Sequence, residues 1–398
     1  MMDRPAQLSL PGDVVDAPLR FELVTDAPRC GAWSEAWQEL WHAGARPEPM
    51  LSPQWLLPWW ELYGAGRDLA VGLFHAGEQL VGLAPMCLRS VAYRLGLRFR
   101  RLGFLGADGD ERDGVCSDYL NLIVRPGYEH RVAVAFVDRV LDGAFGSWDE
   151  CVLEPMDGAG PIPGLLASCF VRRGCSPEYH VTTEAPVAML PATWDAFLAA
   201  VPKKKRGTLR SAWRHFEAWA EGDFHLERAT DEASLERGRA VLKSLHQQRW
   251  EEVGELGAFA SARFEAFHAK WMEHMLLRGD LELAWLEVRQ EPVAAAYGFR
   301  TGDRLYYYQC GRRLDVPARI RPGIVLLQLL MQGAMASGVR EFDFLGGAAR
   351  YKSLFARHGR PLVQLRIARA SWRERLRRTL TQCNSWLRRL RTQAQDEG

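Results

Sequence analysis

Short apolar runs separated by polar turns recur in one order in two parts of the chain. Residues 69–74 and 80–86 flank His75-Ala76-Gly77-Glu78-Gln79, and residues 281–288 and 292–299 flank Arg289-Gln290-Glu291, so each pair reads as a β-hairpin. Leu69 and Leu281, then Val81 and Val293, share an offset of 212 residues. Strand-like runs follow at 119–124 and 305–310. Each leads to an Arg-Pro-Gly, at 125–127 and 321–323, and these share an offset of 196. A helical stretch comes next, to Leu141 in one copy and from Ile324 to Met335 in the other, ending near Gly146 and Gly338. A strand containing an acid closes each copy, at 148–153 and 341–345. The order hairpin, strand, Arg-Pro-Gly, helix, strand, met twice, predicts a duplicated α/β unit.

Other stretches fill in the frame. Residues 33–41 read as a helix, and Ser52-Pro53-Gln54 caps another that carries Trp55, Trp59 and Trp60. Residues 90–114, basic and then Gly-rich and acidic, read as a long excursion. Between the copies, Lys203, Lys204, Lys205 and Arg206 open a helix to about Trp219. On it Arg206, Arg210 and Arg214 share one face, and Leu209, Trp213 and Phe216 the other. Residues 1–18 read as a disordered polar tail. At the far end Trp372, Leu376, Leu380, Cys383, Leu387 and Leu390 form the apolar stripe of a basic amphipathic helix, for which docking on its own domain, RNA and a membrane surface are alternatives.

Composition narrows the class. The 398 residues suffice for two domains, and 47% hydrophobic with 25% charged residues is ordinary for a globular protein. A net charge of +2 gives no reason to expect DNA or bulk nucleic-acid binding. Eight scattered cysteines form no CxxC pair and no His/Cys cluster has metal-ligand spacing. Reduced thiols in a cytoplasmic protein without a metal are therefore expected. The first residues lack the apolar centre of a signal peptide, and no apolar run suggests a transmembrane segment.

Candidate chemistry gathers between residues 305 and 355. Arg312, Arg313, Arg319 and Arg321 lead into Pro322-Gly323 and the N-terminus of an almost wholly apolar helix. Proline suits a first helical turn, where its missing N–H has no partner to lose. Unpaired N–H groups and about half a positive charge at such an end favour an anion, and guanidinium forks suit phosphate oxygens. Strand, basic loop and helix end make a pyrophosphate site; the plain alternative is a solvated loop before a core helix. Beyond it a strand delivers Asp343 to the Gly346-Gly347 turn, and a short helix carries Tyr351 and Lys352.

Five stretches resemble the CelD-like acyltransferases of the GNAT superfamily: GLAPMCLR (82–89), PKKKRGTLRSAWRHFE (202–217), LHQQRW (245–250), ARIRPGIVLLQ (318–328) and DFLGGAARYKSLF (343–355). The resemblance spans about residues 20–368. It implies an α/β fold of two tandem GNAT-like domains, each a mixed central sheet flanked by helices, as in the related Fem-type peptidyltransferases. The expected division is 19–190, then 191–369 with the donor site, then the basic segment 370–398.

The resemblance also implies roles. Tyr308, Cys310 and Arg312 lie on the strand that would supply N–H groups to the acyl donor. Arg319, Arg321, Gly323 and Ile324 form the phosphate loop. Tyr351 stands where the superfamily's proton-donating tyrosine would be, Lys352 matches a lysine that Fem-type enzymes place beside the reacting carbonyl, and Asp343 faces the same cleft. His246, Arg249, Trp250, Lys205 and Arg206 are candidates for the acceptor side. The loop departs from the family's Q/R-x-x-G-x-G/A pattern, since only Gly323 is present and Pro322 removes a donor N–H. The expected activity is acyl transfer, most simply acetyl from acetyl-CoA as co-substrate with no tightly bound cofactor, to an amine or hydroxyl of a small molecule or sugar. Aminoacyl transfer from charged tRNA is the enzymatic alternative, and a non-catalytic GNAT-derived binding module the other.

Overall fold

The computed structural model describes residues 18–93, 96–107, 114–252, 254–347 and 349–380. The expected tail, except Pro18, and Cys383, Leu387 and Leu390 lie outside them.

The first half runs β1 (Arg20–Val24), α1 (Ala27–Ala32), α2 (Ser34–Ala43), α3 (Pro53–Tyr63), β2 (Asp68–Ala76), β3 (Gln79–Ala92), β4 (Arg98–Phe104), β5 (Ile123–Val124), α4 (Glu129–Leu141), β6 (Glu150–Asp157), α5 (Ile162–Arg172) and β7 (Glu178–Met189). The second runs α6 (Trp194–Ala200), α7 (Lys203–Ala220), β8 (Phe224–Arg228), α8 (Glu232–Glu252), α9 (Ala262–Leu277), β9 (Leu281–Val288), β10 (Glu291–Thr301), β11 (Arg304–Arg312), α10 (Pro322–Ala336), β12 (Glu341–Asp343), α11 (Lys352–Phe355) and β13 (His358–Ala368). Among the described residues all thirteen strands share one mixed sheet.

Its order, β1-β2-β3-β4-β6-β13-β7-β12-β11-β10-β9-β8, is a palindrome. β1 to β4 correspond to β8 to β11, β6 to β12, and β13 to β7. Each half is an antiparallel meander whose fourth strand pairs in parallel with a fifth, Arg101 with Glu150 in one and Arg304 with Glu341 in the other. The expected duplication is thus visible in the topology, and the two halves trade their last strands. β13 lies within the segment expected to form the second domain, yet it pairs with β6 of the first half as well as β7.

Two readings of the first half change. The stretch 90–114 is largely the end of β3 and the whole of β4, so β4 rather than 119–124 corresponds to β11. In the latter only Ile123–Val124 pairs, against β3.

The hairpins read as continuous apolar runs because both faces are covered, β3 by α2 and α4, and β10 by α8 and α10. α10 is apolar all round for the same reason, lying between β10, β11, α6 and α7. At Gly311 the sheet approaches α8 so closely that a Cβ would overlap the backbone of Leu245 and His246. Only glycine lets β11 lie there.

Candidate active site

β11 pairs with β12 only as far as Tyr306 and Asp343, while its other edge stays paired with β10 up to Arg312. Beyond Tyr306 one edge of β11 therefore has no strand partner among the described residues. A cavity of about 550 Å³ opens along that edge. Its floor is the β11 segment carrying Tyr307, Cys310, Gly311 and Arg312. α10 contributes Gly323, Ile324 and Leu327, Arg249 comes from α8, and Arg350, Tyr351 and Leu354 stand on the far side.

A bulge decides which β11 side chains face the cavity. Tyr297 pairs with Gln309 but Gly298 with Tyr307, so Tyr308 is an extra residue. Strict alternation would put Tyr308 and Cys310 on one face. Instead Tyr307 and Cys310 line the cavity, and Tyr308 turns away into a cluster with His268, Tyr297 and Phe299, its hydroxyl on the Val115 carbonyl.

Cys310 Sγ lies 3.9 Å from the Tyr351 hydroxyl and 4.0 Å from Arg249 Nη1. Burial holds the phenols of Tyr351 and Tyr307 above their ordinary range, so both stay protonated near neutrality. At the basic end Pro322 has no N–H, and the Ile324 N–H is committed to the Arg321 carbonyl at 3.0 Å. The Gly323 N–H remains there, with Arg312 and Arg321 beside it. Apolar walls lie at one end of the cavity and guanidinium groups at the other.

Asp343 and Lys352 lie behind this cavity. Asp343 is fully buried at the end of β12, where it accepts from the Tyr119 hydroxyl at 2.8 Å and from the Leu345 N–H at 2.8 Å. Leu345 has φ +55, a left-handed conformation that costs a leucine roughly 1–2 kcal/mol. A hydrogen bond to a carboxylate is worth about 1.5–3 kcal/mol, enough to hold it. Lys352 Nζ donates to the carbonyls of Leu345 (3.1 Å) and Gly346 (2.5 Å), and the Gly346 N–H donates to Asp118 Oδ2 at 2.6 Å. Burial pushes Asp343 up to about 7 and Asp118 up to about 6, and draws the Lys352 ammonium down. These groups clamp the turn that presents Tyr351.

Around them runs a buried ionic network joining the halves. Arg360 of β13 reaches Asp157 (2.6 Å), Glu48 (2.9 Å) and Asp343 (3.4 Å), with its guanidinium 3.8 Å from the centre of the Tyr119 ring. Arg304 and the Tyr306 hydroxyl also hold Glu48, at 3.4 and 2.7 Å.

The expected acceptor residues scatter. Arg249 lines the cavity. His246 is buried on α8, its Nε2 accepting from the Trp250 indole at 3.0 Å. Lys205 Nζ donates to the Ser353 carbonyl at 2.5 Å, tying α7 to α11, and Arg206 caps the carbonyls of Leu198 and Ala199. Arg319 lines a neighbouring cleft with Arg321. Sequence reasoning did not find Tyr307 and Arg350, nor Asp118, Tyr119, Glu48 and Arg360. The first needs the bulge to be known, and the last four reach Asp343 or the turn after it only through long-range pairing.

Residues 203–353 match the family model described as an acetyltransferase (GNAT) domain. Among solved structures, FemX superposes with a TM-score of 0.58 at 9% identity, over 84% of this chain and 96% of that one, a likeness of fold. The C-terminal domain of a putative lysylphosphatidylglycerol synthetase from Agrobacterium fabrum gives 0.49 at 12% identity, over 85% of this chain and 93% of that one. A tandem GNAT protein from the clavulanic acid biosynthesis pathway gives 0.45 at 13%, over 88% and 100%. A search of curated protein sequences returns no match. The parallel pair that parts beside a basic helix end thus lies within the stretch, residues 203–353, that matches a GNAT acetyltransferase domain.

Proposed function

We propose that the cavity between β11, α10 and Tyr351 binds an acyl-CoA, most simply acetyl-CoA, and that the chain transfers the acyl group to an amine or hydroxyl of a small molecule or sugar. The observation that carries this reading is the unpaired edge of β11 running from Tyr307 to Arg312 beside the Gly323 N–H and two arginines. N–H groups on that edge receive the thioester carbonyl and the negative charge that develops on its oxygen. Arg312 and Arg321 hold the diphosphate. The acceptor's nucleophile adds to the carbonyl carbon and loses its proton to water, the carbon–sulfur bond breaks, and Tyr351 donates its hydroxyl proton to the departing thiolate and regains one from solvent. Burial keeps that proton on the hydroxyl in the resting protein. Asp343 and Lys352 act by positioning, through the turn they hold, rather than by touching substrate.

Transfer of labelled acetyl from acetyl-CoA to a panel of amines and amino sugars tests this, run on the full chain and on a chain truncated after Leu380. That truncation keeps Glu374, which pairs with buried Arg366 at 2.7 Å. Turnover within about threefold in the truncated chain, under roughly 1 kcal/mol of barrier, is expected. A full chain that uses only charged tRNA, and a truncated one that is folded but inactive, overturns the acyl-CoA reading in favour of a tRNA donor.

A further inference from the structure

On the other side of the basic loop lies a second cleft, of about 400 Å³. α7 supplies Lys204, Thr208, Ser211 and His215, and the loop supplies Arg319 and Arg321. Among the described residues no acidic side chain lines it. Lys204, Arg319 and Arg321 have no carboxylate partner among the described residues, whereas the nearby Arg313 is paired with Asp315. Three cations facing one cleft repel one another, and such an arrangement is stable in water mainly through counterions or a ligand. The cleft is also held in place. Lys205 ties the first turn of α7 to the Ser353 carbonyl, next to the turn that carries Tyr351. Arg321 borders both this cleft and the donor cavity, so one ligand can reach into both.

We infer that this cleft is a phosphate-monoester site. It takes a phosphoryl group carried by the ligand of the adjoining cavity, with Lys204 and Arg319 as its charged contacts and the hydroxyls of Thr208 and Ser211 beside them. The inference rests on the proposed donor cavity for its neighbour and not for its own chemistry. Two cavities sharing one arginine match a ligand with a diphosphate and a separate phosphate. In an acyl-CoA that second group is the phosphate on the ribose. A phosphorylated acceptor is the other source of the same chemistry.

Calorimetry on the full chain with CoA and with dephospho-CoA, paired with phosphorus NMR line broadening of inorganic phosphate, decides between them. The wild type should bind CoA about 10-fold or more tightly than dephospho-CoA, and the preference should shrink as salt rises. In the variant Lys204→Ala/Arg319→Ala, checked as folded by circular dichroism, the ratio should fall towards one. Equal affinities together with broadening of inorganic phosphate that the double variant abolishes assign the site to a phosphoryl group of the acceptor. Equal affinities with no such broadening overturn the inference, as does a CoA preference that survives in the double variant. If neither CoA nor dephospho-CoA binds, the donor reading fails while the phosphate measurement still decides the cleft.

Discussion

The two halves share a strand topology, and the difference that shapes the site lies where the fourth and fifth strands part. In the first half β6 runs on for eight residues, and Leu120 bridges Met156 in the widening gap. The segment around it is buried, with Val115, Tyr119, Leu120 and Leu122 inside. In the second half β12 stops after three residues at a left-handed turn, and the gap stays open as the cavity lined by Tyr307, Cys310 and Tyr351. The segment that fills the first gap also braces the second. Val115 accepts from Tyr308, Asp118 from the Gly346 N–H, and Asp343 from Tyr119. The segment of one copy thus forms part of the wall behind the cavity of the other.

The sharpest way to break this division of labour is Tyr351→Phe. Removal of the hydroxyl should lower turnover by about 10²–10⁴-fold with donor binding retained, read by steady-state kinetics and calorimetry. Unchanged turnover would return the chemistry to another part of the molecule. Next comes the joint between the halves. Arg360→Met leaves Glu48, Asp157 and Asp343 without a shared cation, and loss of one partner from a buried ionic network costs about 3–5 kcal/mol. Urea unfolding should show that loss as one transition for both halves; two separated transitions would mean that the halves are energetically independent.

A smaller effect compares the two Arg-Pro-Gly turns directly. Arg321→Ala should weaken CoA binding by about 1.5–3 kcal/mol, less at high salt, whereas Arg125→Ala in the first half should leave it unchanged. Equal losses would show that both turns serve the ligand.

The smallest concerns protons. Asp343, for which the first half has Val152 at the matching register, is raised from 3.8 to about 7 by burial. The folded state therefore binds more protons than the unfolded one between roughly pH 4 and 7, and this group's contribution to stability falls as pH rises through that window. The stability of the wild type relative to Asp343→Asn should decline with rising pH there, by at most about 1.4 kcal/mol per unit. A difference that stays flat would place the titration elsewhere.

Local signals carried much of the architecture. Hairpins, helices and the repeated Arg-Pro-Gly are written in short windows, and the stretch from β11 to α11 was legible nearly residue by residue. What stayed hidden depends on distant partners. Ser90 to Gly114 is too rich in charge and glycine to read as a strand, yet Arg101 sits in β4 because Glu150, 49 residues on, neutralises it at 2.7 Å. Tyr307 and Tyr308 are alike in sequence, and only pairing with Tyr297-Gly298 decides which faces the cavity. Asp343 was legible as an important acid, but its side-chain partners Tyr119 and Arg360 come from two separate regions and no spacing links them.

The exchange of β7 and β13 also has a consequence for how the molecule is made. About 200 residues separate the end of β6 from the start of β13, the strand that must lie beside it. At roughly 5–20 residues per second a ribosome needs about 10–40 seconds to bridge them. Throughout that interval the nascent first half holds a sheet edge open for a strand not yet synthesised, so its sheet cannot be completed before β13 has emerged.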